Sequence, residues 1–132
     1  MKIAAVSEDG RTISQHFGRA PFYIVVTVED GKIVSREQRD KVGHAHFAGE
    51  PPAEEPDPRG HGFDPAAQDR HTRMSAAIAD CQALLARGMG AGAYESLKQA
   101  GIRPVITDIP TIDEAVQAYL AGRIVDHTER LH

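Results

Sequence analysis

A chain of 132 residues, 41% apolar and 26% charged, suits one domain with a real core, at roughly 100–200 residues per domain. A net charge of −4 with no basic stripe argues against a nucleic-acid partner, and no apolar run approaches the ~20 residues that cross a membrane. One cysteine excludes an internal disulfide and, with no signal-peptide pattern before the first strand, fits a reducing, cytoplasmic setting.

Lys2–Val6 reads as a short buried strand. Phe22–Val28 is β-branched and aromatic, so it predicts a second strand. Asp30-Gly31 is a hairpin signal, and Lys32–Gln38 suits an edge strand returning antiparallel. Residues 40–65 are rich in proline, glycine, histidine and acids, with almost nothing to bury. They predict a long loop, and loops beyond ~12–15 residues in a compact domain are commonly functional or disordered.

Asp64-Pro65 predicts an N-cap and first helical residue. The helix that follows carries His71, Met74, Ser75 and Ile78 on one face. Cys81–Ala86 reads as a short apolar strand and Gly88–Gly92 as the turn after it. Ala93, Leu97 and Ala100 then mark a helical face that Gly101 stops. Arg103–Thr107 predicts another strand. Thr111-Ile-Asp-Glu114 has the form of a capping box, followed by a buried stripe of Ile112, Val116, Tyr119 and Leu120 ending at Gly122. Ile124-Val125 suits a short terminal extension before a polar tail, Asp126–His132. The resulting order, β-β-β-α-β-α-β-α, matches a three-layer, ribonuclease-H-like α/β domain with a mixed five-stranded sheet, spanning residues 1–132.

Two runs carry the chemistry. Ser14–Pro21 lies between the first two strands and holds His16, Phe17, Gly18 and Arg19. A loop imidazole can ligate a metal through either nitrogen, and Gly18 would let backbone approach closely. The second run is Asp80-Cys81, the apolar strand, and Gly88, Met89, Gly90, Ala91 and Gly92 at the mouth of a helix. Helix-opening N–H groups favour an anion, Met89 could add a soft contact, and a tight turn needing positive φ is the structural alternative. The two runs are expected to meet at one end of the sheet and frame a ligand site. Seven histidines against three tyrosines and no tryptophan favour metal over stacking. His44, His46 and His71 are candidate closing ligands and Cys81 a candidate thiolate, although buried packing is the commoner use of such a cysteine. One cysteine is far from the four a standard iron–sulfur cluster takes, which counts against a permanently built-in cluster and is compatible with transient carriage.

The runs Gln15–Phe22, Asp80-Cys81 with Gly88–Gly92, and Gly101–Pro104 resemble the dinitrogenase iron-molybdenum cofactor biosynthesis family of NifX/NifB-type domains. The resemblance implies a ribonuclease-H-like fold and non-catalytic binding of an iron–sulfur or iron–molybdenum cluster or its precursor, with cofactor-assembly proteins as partners. It places His16 at the family's cluster-binding histidine. Nuclease chemistry is not expected, because the first strand lacks the carboxylate a two-metal site needs there, and Glu8-Asp9 follow it in a turn. The competing readings are a mononuclear metal sensor or buffer that docks a partner protein, and an anion- or nucleotide-binding module centred on the glycine turn.

Overall fold

The computed structural model describes residues 1–41 and 74–131. Among them, five strands form one sheet: β1 (Lys2–Ser7), β2 (Phe22–Glu29), β3 (Lys32–Asp40), β4 (Ala83–Ala86) and β5 (Arg103–Ile106). Their order across the sheet is β3-β2-β1-β4-β5. The β1–β2 and β2–β3 pairs are antiparallel, and the β1–β4 and β4–β5 pairs are parallel. This is an α/β fold on a mixed sheet, as the sequence pattern predicts.

Burial follows position in the sheet. Ile3–Val6 of β1 and all of β4 are buried, because central strands are covered on both faces and read as unbroken apolar runs. The edge strand β3 is mostly exposed and carries Lys32, Arg36, Glu37 and Arg39, charges that discourage pairing with another chain. Asp30 (φ 52°) and Gly31 (φ 75°) are both left-handed, as a two-residue type I′ turn requires. A bulge between Thr27 and Val28 displaces the pairing by one residue and leaves Val34 53% exposed.

Met74, Ser75 and Ile78 are buried as their spacing predicts, and the Tyr23 hydroxyl donates to the Met74 carbonyl at 3.0 Å. Ile78 lies in the turn after the helical residues 74–76. Arg39 grips the Asp80 carboxylate with two N–H groups (2.6 and 2.9 Å), fastening the edge strand to that turn and holding Asp80 well below the usual carboxylate range. Helix α1 (Ala91–Gln99) buries Gly92, Ala93 and Leu97, and α2 (Ile112–Leu120) buries Ile112, Ala115, Val116 and Ala118.

The structure corrects four expectations. Ala100 is the exposed C-cap of α1 rather than part of its buried face, since the helix ends at Gln99 and Gly101 (φ 82°) turns the chain away. Asp40 belongs to β3, and Lys41, assigned to the polar loop, is 1% exposed. The remainder of that loop, with His44, His46, His61, Asp64-Pro65 and His71, lies outside the described residues. Thr111 is the N-cap of α2, but its side chain makes no capping bond and Oγ1 is buried without a partner among the described residues. Separately, the first N–H of the helix, from Ile112, donates to the Arg11 carbonyl at 3.0 Å. Ile124-Val125 forms a short extension without regular structure, with Val125 60% exposed. The polar tail is docked: the His127 N–H donates to the Ile106 carbonyl at 2.8 Å, Thr128–Arg130 forms a 3-10 turn, and Leu131 bridges to Met89.

Candidate functional site

β1 and β4 lie side by side and parallel, yet their connections leave in opposite directions. From β1 the chain turns to β2 on one side, and from β4 it passes through α1 to β5 on the other. In open α/β sheets a crevice forms outside the carboxyl ends of two such strands, at the point where the winding reverses. The first loop follows β1 and the glycine turn follows β4, so both runs arrive at that point.

Backbone contacts lock them together. Ser14 N–H donates to the Val6 carbonyl (2.8 Å), Arg87 N–H to the Ser14 carbonyl (3.0 Å), and Phe17 N–H to the Gly88 carbonyl (3.1 Å). A Cβ at Gly88 would lie 2.5 Å from the Gln15 carbonyl oxygen, so no larger residue fits without displacing backbone. The Ser14 hydroxyl accepts from the His16 N–H at 3.1 Å, and the His16 carbonyl accepts from the Arg19 and Ala20 N–H groups. The His16 backbone is thereby fixed while the residue stays exposed.

A cleft of about 310 Å³ opens here, lined by Gln15, His16, Arg87, Gly88 and Arg130. Two arginines and a histidine line one small volume. Arg87 Nε is buried and has no hydrogen-bond partner among the described residues. An unpaired donor on a charged group is costly unless a ligand or solvent satisfies it, so the cleft is suited to an anion.

His16 and Gly88 of the expected set line this cleft. Phe17 is 3% exposed and anchors the loop in the core, with its ring centroid 6.4 Å from that of Tyr23. Gly18 and Arg19 are exposed and do not line the cleft, and a Cβ at Gly18 would meet nothing within 4 Å. The close approach expected at Gly18 occurs at Gly88. Met89 is 1% exposed, so its sulfur offers the cleft no soft contact. Gly90 is the N-cap of α1 and Gly92 is buried in its first turn. Neither they nor Gly88 has positive φ, so close packing rather than left-handed backbone accounts for Gly88.

Cys81 does not join this site. It precedes β4 whereas the glycine turn follows it, a separation of about 20 Å at ~3.3 Å per residue. The thiol is buried and donates weakly to Asp80 Oδ1 at 3.7 Å, and burial with the nearby Asp80 charge pushes its pKa up to about 12, away from thiolate character. His44, His46 and His71 lie outside the described residues. Among the described residues, no group of three histidine, cysteine or acidic side chains is placed to hold a metal ion. Asp9 is committed to its own turn, accepting from the Thr12 and Arg11 N–H groups at 2.8 Å each, which hold its pKa down to about 2. Sequence reasoning missed Arg87 and Arg130. A charged residue directly after the apolar strand Ala83–Ala86 could have marked Arg87, whereas no local pattern marks Arg130.

A family model described as dinitrogenase iron-molybdenum cofactor matches residues 1–122. The chain belongs to that family. A relative from Methanocaldococcus jannaschii, the uncharacterized protein MJ0580, is 25% identical over 124 residues, covering 94% of this chain and 89% of its own. The apo form of the orange protein from Desulfovibrio gigas superposes with a TM-score of 0.67 at 21% identity, covering 96% of this chain and 92% of that one. A Thermotoga protein described provisionally as NifB gives 0.55 at 25% identity, covering 96% and 93%. Both elements that frame the cleft fall within the family match, but Arg130 lies beyond it. No helix among the described residues is long and apolar enough to cross a membrane.

Proposed function

We propose that this dinitrogenase iron-molybdenum cofactor domain is a non-catalytic carrier. Its cargo is an iron–sulfur or iron–molybdenum cluster, or a precursor of one, held in the cleft between the first loop and the glycine turn and passed to cofactor-assembly proteins. The observation that carries this reading is the convergence of Arg87, Arg130 and the exposed His16 on one crevice, with Arg87 Nε buried and unpaired. Metal–sulfur clusters are commonly anionic, and guanidinium groups bind anions by charge-assisted hydrogen bonds without fixing a metal. A single imidazole adds one exchangeable coordinate bond, which suits release better than permanent storage. The strand order, with β2 antiparallel between β1 and β3, supports a three-layer, ribonuclease-H-like arrangement of one domain.

Anaerobic reconstitution with iron and sulfide, with and without molybdate, tests the reading through the visible spectrum. A stoichiometric chromophore that is lost in His16→Ala and weakened in Arg87→Gln is the expected result. A chromophore indifferent to both substitutions overturns the assignment of the cleft. Binding of zinc or nickel alone, with no chromophore, would favour a mononuclear metal sensor instead. His44, His46 and His71 form a separate arm of the same experiment.

A further inference from the structure

We propose that Asp126–Leu131 is a strap that supplies Arg130 to the cleft as a cargo-anchoring residue, with Asp126 as the latch that holds the strap in place. The inference rests on the reading of the cleft as an anion site and adds an element from outside the family match, which ends at residue 122.

The latch is specific. Asp126 Oδ1 accepts from the Ile106 N–H at 2.9 Å, and Oδ2 accepts from the Tyr94 hydroxyl at 2.7 Å. The Asp126 hydrogen bond raises the Tyr94 pKa to about 12, so the hydroxyl remains a donor throughout the physiological range. The next residue completes the pairing, its N–H donating to the Ile106 carbonyl at 2.8 Å. These bonds occupy the free side of β5, where Pro104 offers no N–H of its own. The His127 ring then lies between two carboxylates, with Nδ1 2.8 Å from Glu129 Oε1 and Nε2 3.7 Å from Asp108 Oδ2. One 3-10 turn later, Leu131 bridges to Met89 inside the glycine turn. The strap thus crosses from β5 to the end of β4 and leaves Arg130 at the cleft wall. Asp126 does not line the cleft, so it is a positioning residue that acts through the strap.

Titration of the isotopically labelled full chain with orthomolybdate at fixed ionic strength, followed by amide NMR shifts, reads this out. Wild type is expected to shift at His16 and Gly88. Arg130→Gln should weaken binding about tenfold, the scale of one lost charge-assisted contact, and Arg130→Lys should restore part of it. Arg130 is exposed, so its substitution should leave the thermal midpoint unchanged. Asp126→Ala should weaken binding to a similar degree, and adding Arg130→Gln to it should cost nothing more. Tyr94→Phe removes a single latch bond and serves if Asp126→Ala does not fold. Additive losses in the double variant overturn the latch. Arg130→Gln binding like wild type while Arg87→Gln loses affinity overturns the strap and leaves the cleft reading standing. No response in wild type, or none lost in either arginine variant, overturns both.

Discussion

Replacing Lys41 by methionine isolates the effect of one buried ammonium. Lys41 is 1% exposed, donates to the Phe17 carbonyl, and places Nζ 4.4 Å from the centroid of the Phe17 ring. Burial lowers its pKa to about 7, against about 10.4 in the unfolded chain. Between those values the unfolded state binds a proton that the native state has lost, so stability rises with pH. Below about pH 7 both states are protonated, and the full penalty of the buried ammonium is present. The gain across pH 7 to 9 is about 2 kcal/mol, from a limiting slope of ~1.4 kcal/mol per pH unit. Methionine keeps much of the stem and removes the charge. It also leaves the Phe17 carbonyl unpaired, an offset of about 1–3 kcal/mol that does not depend on pH. Urea unfolding of both proteins at pH 6, 7, 8 and 9 gives the difference curve directly. Cys81, whose raised pKa makes stability fall with pH above its unfolded value, is common to both and cancels. The wild type should gain on the variant from pH 7 upward. A constant difference would refute the reasoning and mean that Lys41 stays charged in the fold.

Gly88→Ala forces a Cβ to within 2.5 Å of the Gln15 carbonyl oxygen and should cost about 1–3 kcal/mol, while Gly18→Ala, with nothing within 4 Å, should melt like wild type. Equal losses for the two in thermal melts would contradict the close approach. Thr111→Val removes a buried, unpaired hydroxyl without changing shape and should stabilise by about 1 kcal/mol. A working capping box demands a loss of similar size, so the sign of the change in unfolding midpoint decides between them. The Cys81 thiol should react with a disulfide reagent at pH 8 only as fast as the chain opens, because it is buried and its pKa is pushed up to about 12. Rapid stoichiometric labelling of the native protein would refute that placement.

The strands were legible because two of them, Ile3–Val6 and Ala83–Ala86, are apolar runs of the length a doubly covered strand needs, and Asp30-Gly31 can close only a tight hairpin. That the first loop meets the glycine turn followed from order alone, since each leaves the carboxyl end of a strand. Other features depend on tertiary placement. Lys41 sits in a polar stretch and reads as solvated; only the fold brings it over Phe17. Met89 stands among the glycines as though available to a ligand, but an apolar side chain at a strand end is drawn into the core. The Thr-x-x-Glu pattern located the start of α2 but not the bond: Thr111 also pairs with Thr12 in an isolated strand-like bridge, a tertiary contact the local pattern does not carry, and its side chain makes no capping bond. Arg130 reaches the cleft through a tail whose path is set by the far edge of the sheet.

The distance between His16 and Cys81 along β4 bears on how cargo is held. On the proposed carrier reading, a thiol at the opposite end of the strand cannot share a cluster with the imidazole, so among the described residues charge has to do much of what several coordinate bonds do in a resident site. Charge-held cargo has a signature that ligand-held cargo lacks. The screening length falls from about 10 Å at 0.1 M salt to about 3 Å at 1 M, so retention should weaken as salt is raised at constant pH. Removing either guanidinium by Arg87→Gln or Arg130→Gln should lower affinity at low salt and flatten its dependence on salt. His16→Ala should lose the chromophore at every salt concentration, and any metal it still retains should keep the wild-type dependence on salt. Gel filtration of reconstituted protein at increasing salt, with metal measured in the protein peak, separates these outcomes. Retention that ignores salt in all four proteins would show that coordinate bonds alone hold the cargo, and that the two arginines merely line the cleft.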